Sequence, residues 1–370
     1  MMFGVSTEQQ ELRTAVRRFL ADRAPLPRVR ELMDDGSLDR EVWDQAGGQL
    51  GLQGIAIPEE FGGSGFSFAE QAIVLEELGA ALYGGPYLAS AVLGATALLA
   101  SSDAAARKDY LPGIAAGELI ATLAFTEDSG SWDPAAIRLV ATRRDEDWLL
   151  NGHKNFVLDG HVAGLLLVAG VTEAGLSVFA VEAGAAGLAV TALPTLDQTR
   201  TLARLEFDSV SARLIGAPGD GTAVLDRVLD VAAIALAAEQ LGGAQRALDM
   251  AVDYAKTRHQ FGRAIGSFQA IKHRCADLLL EVESLRSAVA YAAAAVAEDS
   301  AEIPVVASLV KAYASEVYFH VAAENIQIHG GIGFTWEHDA HLYFKRAKSS
   351  ELFLGDATYH RERLADRINL

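Results

Sequence analysis

The chain has 370 residues, 51% of them hydrophobic and 22% charged, with only 34 glycines and 9 prolines; this excludes a disordered polymer and leaves room for two or three units around a large core. A formal net charge of −18 excludes wrapping of nucleic acid, which needs basic surface to displace counterions from phosphate. The one cysteine, Cys275, excludes an internal disulfide framework or a cysteine-built metal site, and fits a cytoplasmic protein.

Met1 to Arg18 has scattered charges and no apolar core of a leader, and no later stretch reaches the roughly 18 uninterrupted apolar residues of a membrane span. Neither export nor membrane insertion is expected. Apolar residues three and four apart predict helices over Glu8–Asp22, Arg40–Leu50 and Phe68–Leu82. Between the last two lies Gly51–Gly65, GLQGIAIPEEFGGSG, where Pro58 and the Gly62-Gly63 pair demand a turn-rich loop. Near Leu119 short β-prone runs take over: Ile137–Thr142, Trp148–Asn151, Leu165–Val168, Leu176–Val181, Ala189–Leu193 and Ala203–Phe207. Their length and spacing predict a compact antiparallel unit of about 90 residues. Helices return over Gly219–Thr257, then, past a break at Gly262–Gly266, over Phe268–Glu298 and Pro304–Ile328. The boundaries expected are therefore 1–118 helical, 119–216 β and 217–370 helical, with no internal repeat.

Within that order, Arg258-His259-Gln260-Phe261-Gly262-Arg263, followed by Ile265, Phe268 and Gln269, resembles the RxxFGxxIxxFQ signature of the acyl-CoA dehydrogenase family. Gln327-Ile328-His329-Gly330-Gly331-Ile332-Gly333-Phe334 resembles its Q-x-x-GG-x-G-[FY] turn, and Gly51–Gly65 its GLxGxxxPExxGGxG loop. Ala124-Phe125-Thr126-Glu127 is similar to the start of its flavin-facing segment. The resemblance covers nearly the whole chain. It implies a mostly α fold with an N-terminal helical domain, an antiparallel β-barrel-like middle domain and a C-terminal four-helix bundle. It also implies FAD as cofactor, an acyl-CoA substrate, and an electron-transfer flavoprotein or similar acceptor. Phe125, Thr126, Ser131, Trp132, Phe156 and Leu158 would then bind the flavin, Arg258, Gln260, Phe261, Gln327 and Gly331 would reach the FAD of a neighbouring subunit, and Gln269 and Gly330 are further cofactor-binding candidates. Arginine and glycine suit a pyrophosphate site, since arginine offers a fixed fork of donors to its oxygens and glycine lets backbone N–H groups approach with no Cβ in the way.

The chemistry that the resemblance implies removes the α-proton of an acyl-CoA thioester while the β-hydrogen leaves as hydride to the flavin, and it needs a carboxylate base in reach of the α-carbon. The two places where the family carries that glutamate fall here on Leu354 and Ala232. Neither side chain accepts a proton. Leu158 stands where a hydroxyl residue usually faces the flavin, and Asp356 where a hydroxyl residue usually meets phosphate. Asp356 and Glu351 remain as candidate displaced bases, although Glu351 has the spacing of a surface pair with Lys348 and Asp230 that of a solvated helix face. His338 and His341, three apart, have no second pair to complete a metal site, and no metal is expected.

The sequence is thus similar to the base-lacking subunits of heteromeric actinobacterial acyl-CoA dehydrogenases, which pair with a homologous base-bearing subunit as a heterotetramer. A homo-oligomeric dehydrogenase with a displaced base is the alternative, and a related flavin oxidase or monooxygenase a third reading.

Overall fold

The computed structural model describes residues 6–33, 36–145 and 147–370. Helices α1 (Thr7–Arg23), α2 (Leu26–Met33), α3 (Arg40–Leu50) and α4 (Phe68–Ala80) are followed by a π-helical segment, Leu88–Gly94, and by α5 (Ala95–Ala100) and α6 (Ala104–Ala115). Strands β1 (Ala121–Ala124), β2 (Val140–Arg144), β3 (Asp147–Leu158), β4 (Leu165–Thr172), β5 (Gly175–Glu182), β6 (Leu188–Leu193) and β7 (Leu202–Ile215) come next. The chain then forms α7 (Gly221–Thr257), a short hairpin of β8 (His259–Gln260) and β9 (Arg263–Ala264), α8 (Gln269–Ala297), α9 (Ile303–His329), α10 (Ala340–Leu352) and α11 (Ala357–Arg367). The architecture is helical at both ends with a middle β-domain. No helix of the described residues is long and apolar enough to cross a membrane.

Local chemistry sets many of these ends. Ser6 and Gln9 form a reciprocal capping box at the start of α1, which satisfies two otherwise orphaned donors. Asp39 caps α3 through the Val42 N–H, and that helix stops at Gly51 in a left-handed conformation (φ 62°) that glycine adopts without steric cost.

Two compact units result, one from Met1–Met33, Phe68–Tyr83 and Ala233–Leu370, the other from Asp34–Ser67 and Gly84–Ala232. In the first, α4 and α7 touch backbone to backbone. A Cβ added at Gly242 would lie 1.7 Å from the Glu76 carbonyl oxygen, and one at Gly79 would lie 2.0 Å from that of Glu239. Arg13 bridges Glu76 (2.8 Å) and Glu77 (3.0 Å), and Arg286 reaches Glu76 at 2.6 Å, so α1 and α8 are tied by charge to the same stretch of α4. Deeper in, Glu239 pairs with Arg346 at 2.9 Å, both side chains being nearly inaccessible.

In the second unit the strands close on themselves. β4 pairs antiparallel with β5, β5 with β7, β7 with β3 and β3 with β2, and Val140 of β2 meets Val171 of β4 to complete a five-stranded ring. The antiparallel barrel expected from the sequence is corrected here: the sheet is mixed, because β1 and β2 both run parallel to β4. The side-chain period of a strand is the same in either orientation, so alternation carries no record of a partner's direction. β1, buried at all four residues, has no alternation to read and was not among the expected strands.

Candidate active site

On the β-domain, β1 delivers Phe125 and Thr126 into a loop that returns at Leu139. Both residues are buried, and the Phe125 and Trp132 rings lie 5.9 Å apart. Thr126 and β3 are zipped together: the Asn155 N–H donates to the Thr126 carbonyl at 2.9 Å, and the Thr126 hydroxyl donates to the Asn155 carbonyl. Under this contact lies Lys154, with no exposed surface, whose Nζ donates to the Phe125 carbonyl (3.2 Å) and to Glu127 Oε1 (2.7 Å). Glu127 also accepts from the N–H groups of Arg138 (3.0 Å) and Leu139 (2.8 Å).

The pairing of β3 with β7 is irregular between Lys154 and Val157, and there Phe156 takes φ 56° and holds its ring partly exposed. Leu158, one step past that irregularity, is buried, and its carbonyl accepts the Thr122 hydroxyl at 2.6 Å. Ser131 stays local, its Oγ accepting from the Asp133 N–H at 3.2 Å. Phe125, Thr126, Trp132 and Phe156 are therefore gathered around one loop, whereas Leu158 turns into the core.

On the helical unit, α7 ends in the β8–β9 hairpin. Its turn is formed by Phe261 (φ 52°) and Gly262 (φ 76°), and the Phe261 ring is 91% exposed. The Arg258 backbone holds the base of this hairpin through Tyr254 and Ile265, both at 2.8 Å, while its guanidinium engages no partner among the described residues. Gln260 and Gln269 are exposed beside it. At the end of α9, exposed Gln327 precedes Gly330, whose φ 65° and ψ −143° lie where only glycine is comfortable. Neither Gly330 nor Gly331 has any atom within 4 Å of where a Cβ would stand. Phe334, 79% exposed, and Trp336, 56% exposed, follow this turn. His329 lies 4.3 Å from both the Tyr254 and His338 rings, and His341 stacks on Trp336. Among the described residues no cluster of three or more potential ligands could hold a metal.

The turn that carries Leu354 is held by residues that no motif singles out. Leu354 is buried with φ 62°, and a Cβ at Gly355 would lie 2.1 Å from the Tyr359 ring. Fully buried Lys311 donates to the carbonyls of Glu351 (3.2 Å) and Gly355 (2.9 Å) and to Ser315 Oγ (2.9 Å). His360 Nε2 donates to the Leu354 carbonyl at 3.0 Å, which fixes its tautomer because a carbonyl only accepts. Burial, aided by the nearby Lys311 charge, pushes the His360 imidazole down to about 3. The one trace of Lys311 in the sequence is that it is a charged residue on a mostly apolar helix, a weak signal, while His360 lies on a mostly polar helix and leaves no trace.

The other carboxylates near the turn are engaged. Asp356 caps α11, accepting from the Tyr359 N–H at 2.8 Å, and Glu351 pairs with Lys348 at 3.0 Å. Ala232 is fully buried in α7. The solvated face expected around Asp230 is corrected: its side chain is 6% exposed, because this stretch of α7 is buried on all sides.

Three family models cover the chain almost end to end: acyl-CoA dehydrogenase N-terminal domain over residues 6–118, middle domain over 122–210 and C-terminal domain over 219–369. The chain is also 37% identical over 350 residues to acyl-CoA dehydrogenase IpdE2 of Mycobacterium tuberculosis, covering 94% of this chain and 93% of the relative. The chain belongs to the acyl-CoA dehydrogenase family. Among solved structures it is similar to a chain of the ChsE4–ChsE5 complex from Mycobacterium tuberculosis (TM-score 0.91, 33% identity, 100% of this chain and 99% of that one). It is likewise similar to butyryl-CoA dehydrogenase from Megasphaera elsdenii (TM-score 0.94, 27% identity, 100% of both chains). It is thus an oxidoreductase of acyl-CoA dehydrogenase type, and FAD is its cofactor.

Proposed function

We propose that this chain is the base-lacking subunit of a heteromeric acyl-CoA dehydrogenase, in which a homologous partner carries the carboxylate that takes the substrate's α-proton. One observation carries the reading. Leu354, which the family resemblance puts at the position of the base, is buried at a turn that Lys311 and His360 hold in place, and its side chain accepts no proton. The displaced-base alternative is weakened by the same geometry, since Asp356 is engaged as a helix cap and Glu351 in an ion pair. The similarity to a chain of a complex built from two named components, ChsE4 and ChsE5, adds support.

The residues of both units suit FAD. The Arg258 guanidinium is unpaired among the described residues, and the Gly330–Gly331 turn leaves open the space that a Cβ would fill, so an anionic pyrophosphate can approach both. Phe334, Trp336 and Ile332, exposed within five residues of one another, form an apolar patch that supports the completion of this site by a second subunit. Gln260, Gln269 and Gln327 are exposed and remain candidates for contact with FAD. Phe125, Thr126, Trp132 and Phe156 form the side toward the flavin ring, whereas Leu158, turned into the core, and Ser131, engaged locally with Asp133, have no such part. When bound, FAD supplies the two-electron acceptor for α,β-desaturation, and an electron-transfer flavoprotein takes those electrons onward. This chain's own residues would bind and orient the substrate and the cofactor, while the α-proton would go to the partner's carboxylate.

The test is expression of the chain alone and together with a homologous dehydrogenase subunit that has a glutamate at the position of Leu354. Bound FAD and ferricenium reduction by acyl-CoA substrates are then measured. Activity is expected only in the co-expressed assembly, and full turnover by the chain alone would overturn the proposal.

A further inference from the structure

The buried pair of Lys154 and Glu127 has no place in the proton and hydride steps, yet each of its remaining hydrogen bonds ends on the backbone of a single loop. Lys154 Nζ reaches the Phe125 carbonyl at 3.2 Å and Glu127 Oε1 at 2.7 Å. The Glu127 carboxylate closes the far end by accepting from Arg138 N–H with both oxygens at 3.0 Å and from Leu139 N–H at 2.8 Å. The loop from Phe125 to Leu139 is thereby fastened at both ends to one point on β3, the strand that also carries Phe156. The neighbouring exchange between Thr126 and Asn155 sits directly above that point.

Placing a lysine with no exposed surface inside a barrel is costly unless its partners are well aligned. Burial pushes the Lys154 ammonium down to about 8, against the opposing pull of Glu127, so it remains charged at neutral pH. Burial also opposes the charge on Glu127, but Lys154 and the two N–H donors outweigh it and leave the carboxyl below its ordinary value. Both ends are ionised together. A pair that served the core alone would be replaced at little cost by apolar groups of the same volume, whereas this one directs every bond to the loop bearing Phe125, Thr126 and Trp132.

We infer that Lys154 and Glu127 are positioning residues for the flavin, a buried clasp that sets the shape of the surface presented by Phe125, Thr126 and Trp132. This rests on the flavin-facing role proposed above for those three residues. The clasp acts through them and touches no reacting atom.

The experiment uses the co-expressed assembly bearing Lys154→Met, Glu127→Gln, the double substitution, or Lys154→Arg. The dissociation constant for FAD added to apoprotein and the envelope of the visible flavin band are read, with far-ultraviolet circular dichroism as the check on folding. Lys154→Met is expected to keep its secondary structure, to weaken FAD binding by about tenfold, the scale of one or two misaligned hydrogen bonds, and to shift the band toward that of free FAD. The double substitution is expected to be no worse than Lys154→Met, because the two residues act as a unit, and Lys154→Arg to restore part of the affinity. Bound-flavin spectra and affinities within about twofold of the unsubstituted protein in every variant would overturn the clasp while leaving the flavin site intact. Should Lys154→Met fail to fold, Glu127→Gln, nearly isosteric, decides by the same two readings. An unsubstituted assembly in which this chain holds no flavin would overturn both the clasp and the flavin-facing reading beneath it.

Discussion

His360 offers a proton-linked test of how the Leu354 turn is held. Its ring is 5% exposed, one nitrogen donates to the Leu354 carbonyl, and the other is buried with no hydrogen-bond partner among the described residues. Adding a proton there puts a charge in a buried site, and also beside Lys311, and the imidazole is accordingly held at about 3 instead of 6.5. Because the folded value is depressed, the stability that this residue contributes is complete above 6.5 and is lost as the pH falls toward 3. At about 1.36 kcal/mol per pH unit the loss amounts to about 2 kcal/mol at pH 5 and about 3 kcal/mol at pH 4. Set against a net folding stability of roughly 5–15 kcal/mol, a change of that size is easily measured. His360→Gln keeps an amide able to donate toward Leu354 but does not titrate. Urea unfolding midpoints followed from pH 7.5 down to pH 4 are expected to fall more steeply for the unsubstituted chain than for the variant, all other acidic groups being common to both. Parallel curves would refute the reasoning.

Two further predictions concern packing in the helical unit. Gly242→Ala places a Cβ 1.7 Å from a backbone oxygen of α4, which no side-chain rotation relieves, so a loss of about 3 kcal/mol in urea unfolding is expected; Gly48→Ala, with no atom within 4 Å, serves as the control and is expected to be neutral or slightly stabilising. Arg346→Met leaves Glu239 buried without its 2.9 Å partner and is expected to cost about 3–5 kcal/mol, much of which the double variant with Glu239→Gln recovers. A double variant no more stable than Arg346→Met would show that packing, not charge, dominates there.

The helical segments were the most legible part of the chain, and for a physical reason. Arg40–Leu50 is bounded by an acidic cap and a glycine stop, and it forms a helix over that span. Gly219–Thr257 and Phe268–Glu298 were readable to within two residues because long periodic runs average out local ambiguity. α2, α5, α6, α10 and α11 fall outside the helices that periodicity predicts. α2 and α11 are short, with eight and eleven residues, and α10 has thirteen; their stability comes from packing more than from propensity. In the β-domain the runs at Leu165, Leu176 and Ala189 fell on strands, whereas the parallel partnership of β1 with β4 depends on how distant segments return. At the candidate site, the resemblance to the family singles out Arg258, Gly330 and Leu354. The left-handed backbone of Phe156 and Leu354 and the burial of Lys154 and Lys311 are consequences of tertiary packing, and no local pattern encodes them.

A turn held from outside, by a lysine on one helix and a histidine on another, keeps its shape whichever side chain it displays. Chemistry and architecture are separable at that spot: a reactive group can be lost, or installed, while the frame around it stands. Exchanging the side chain at Leu354 would then alter what the turn can do without altering where it stands.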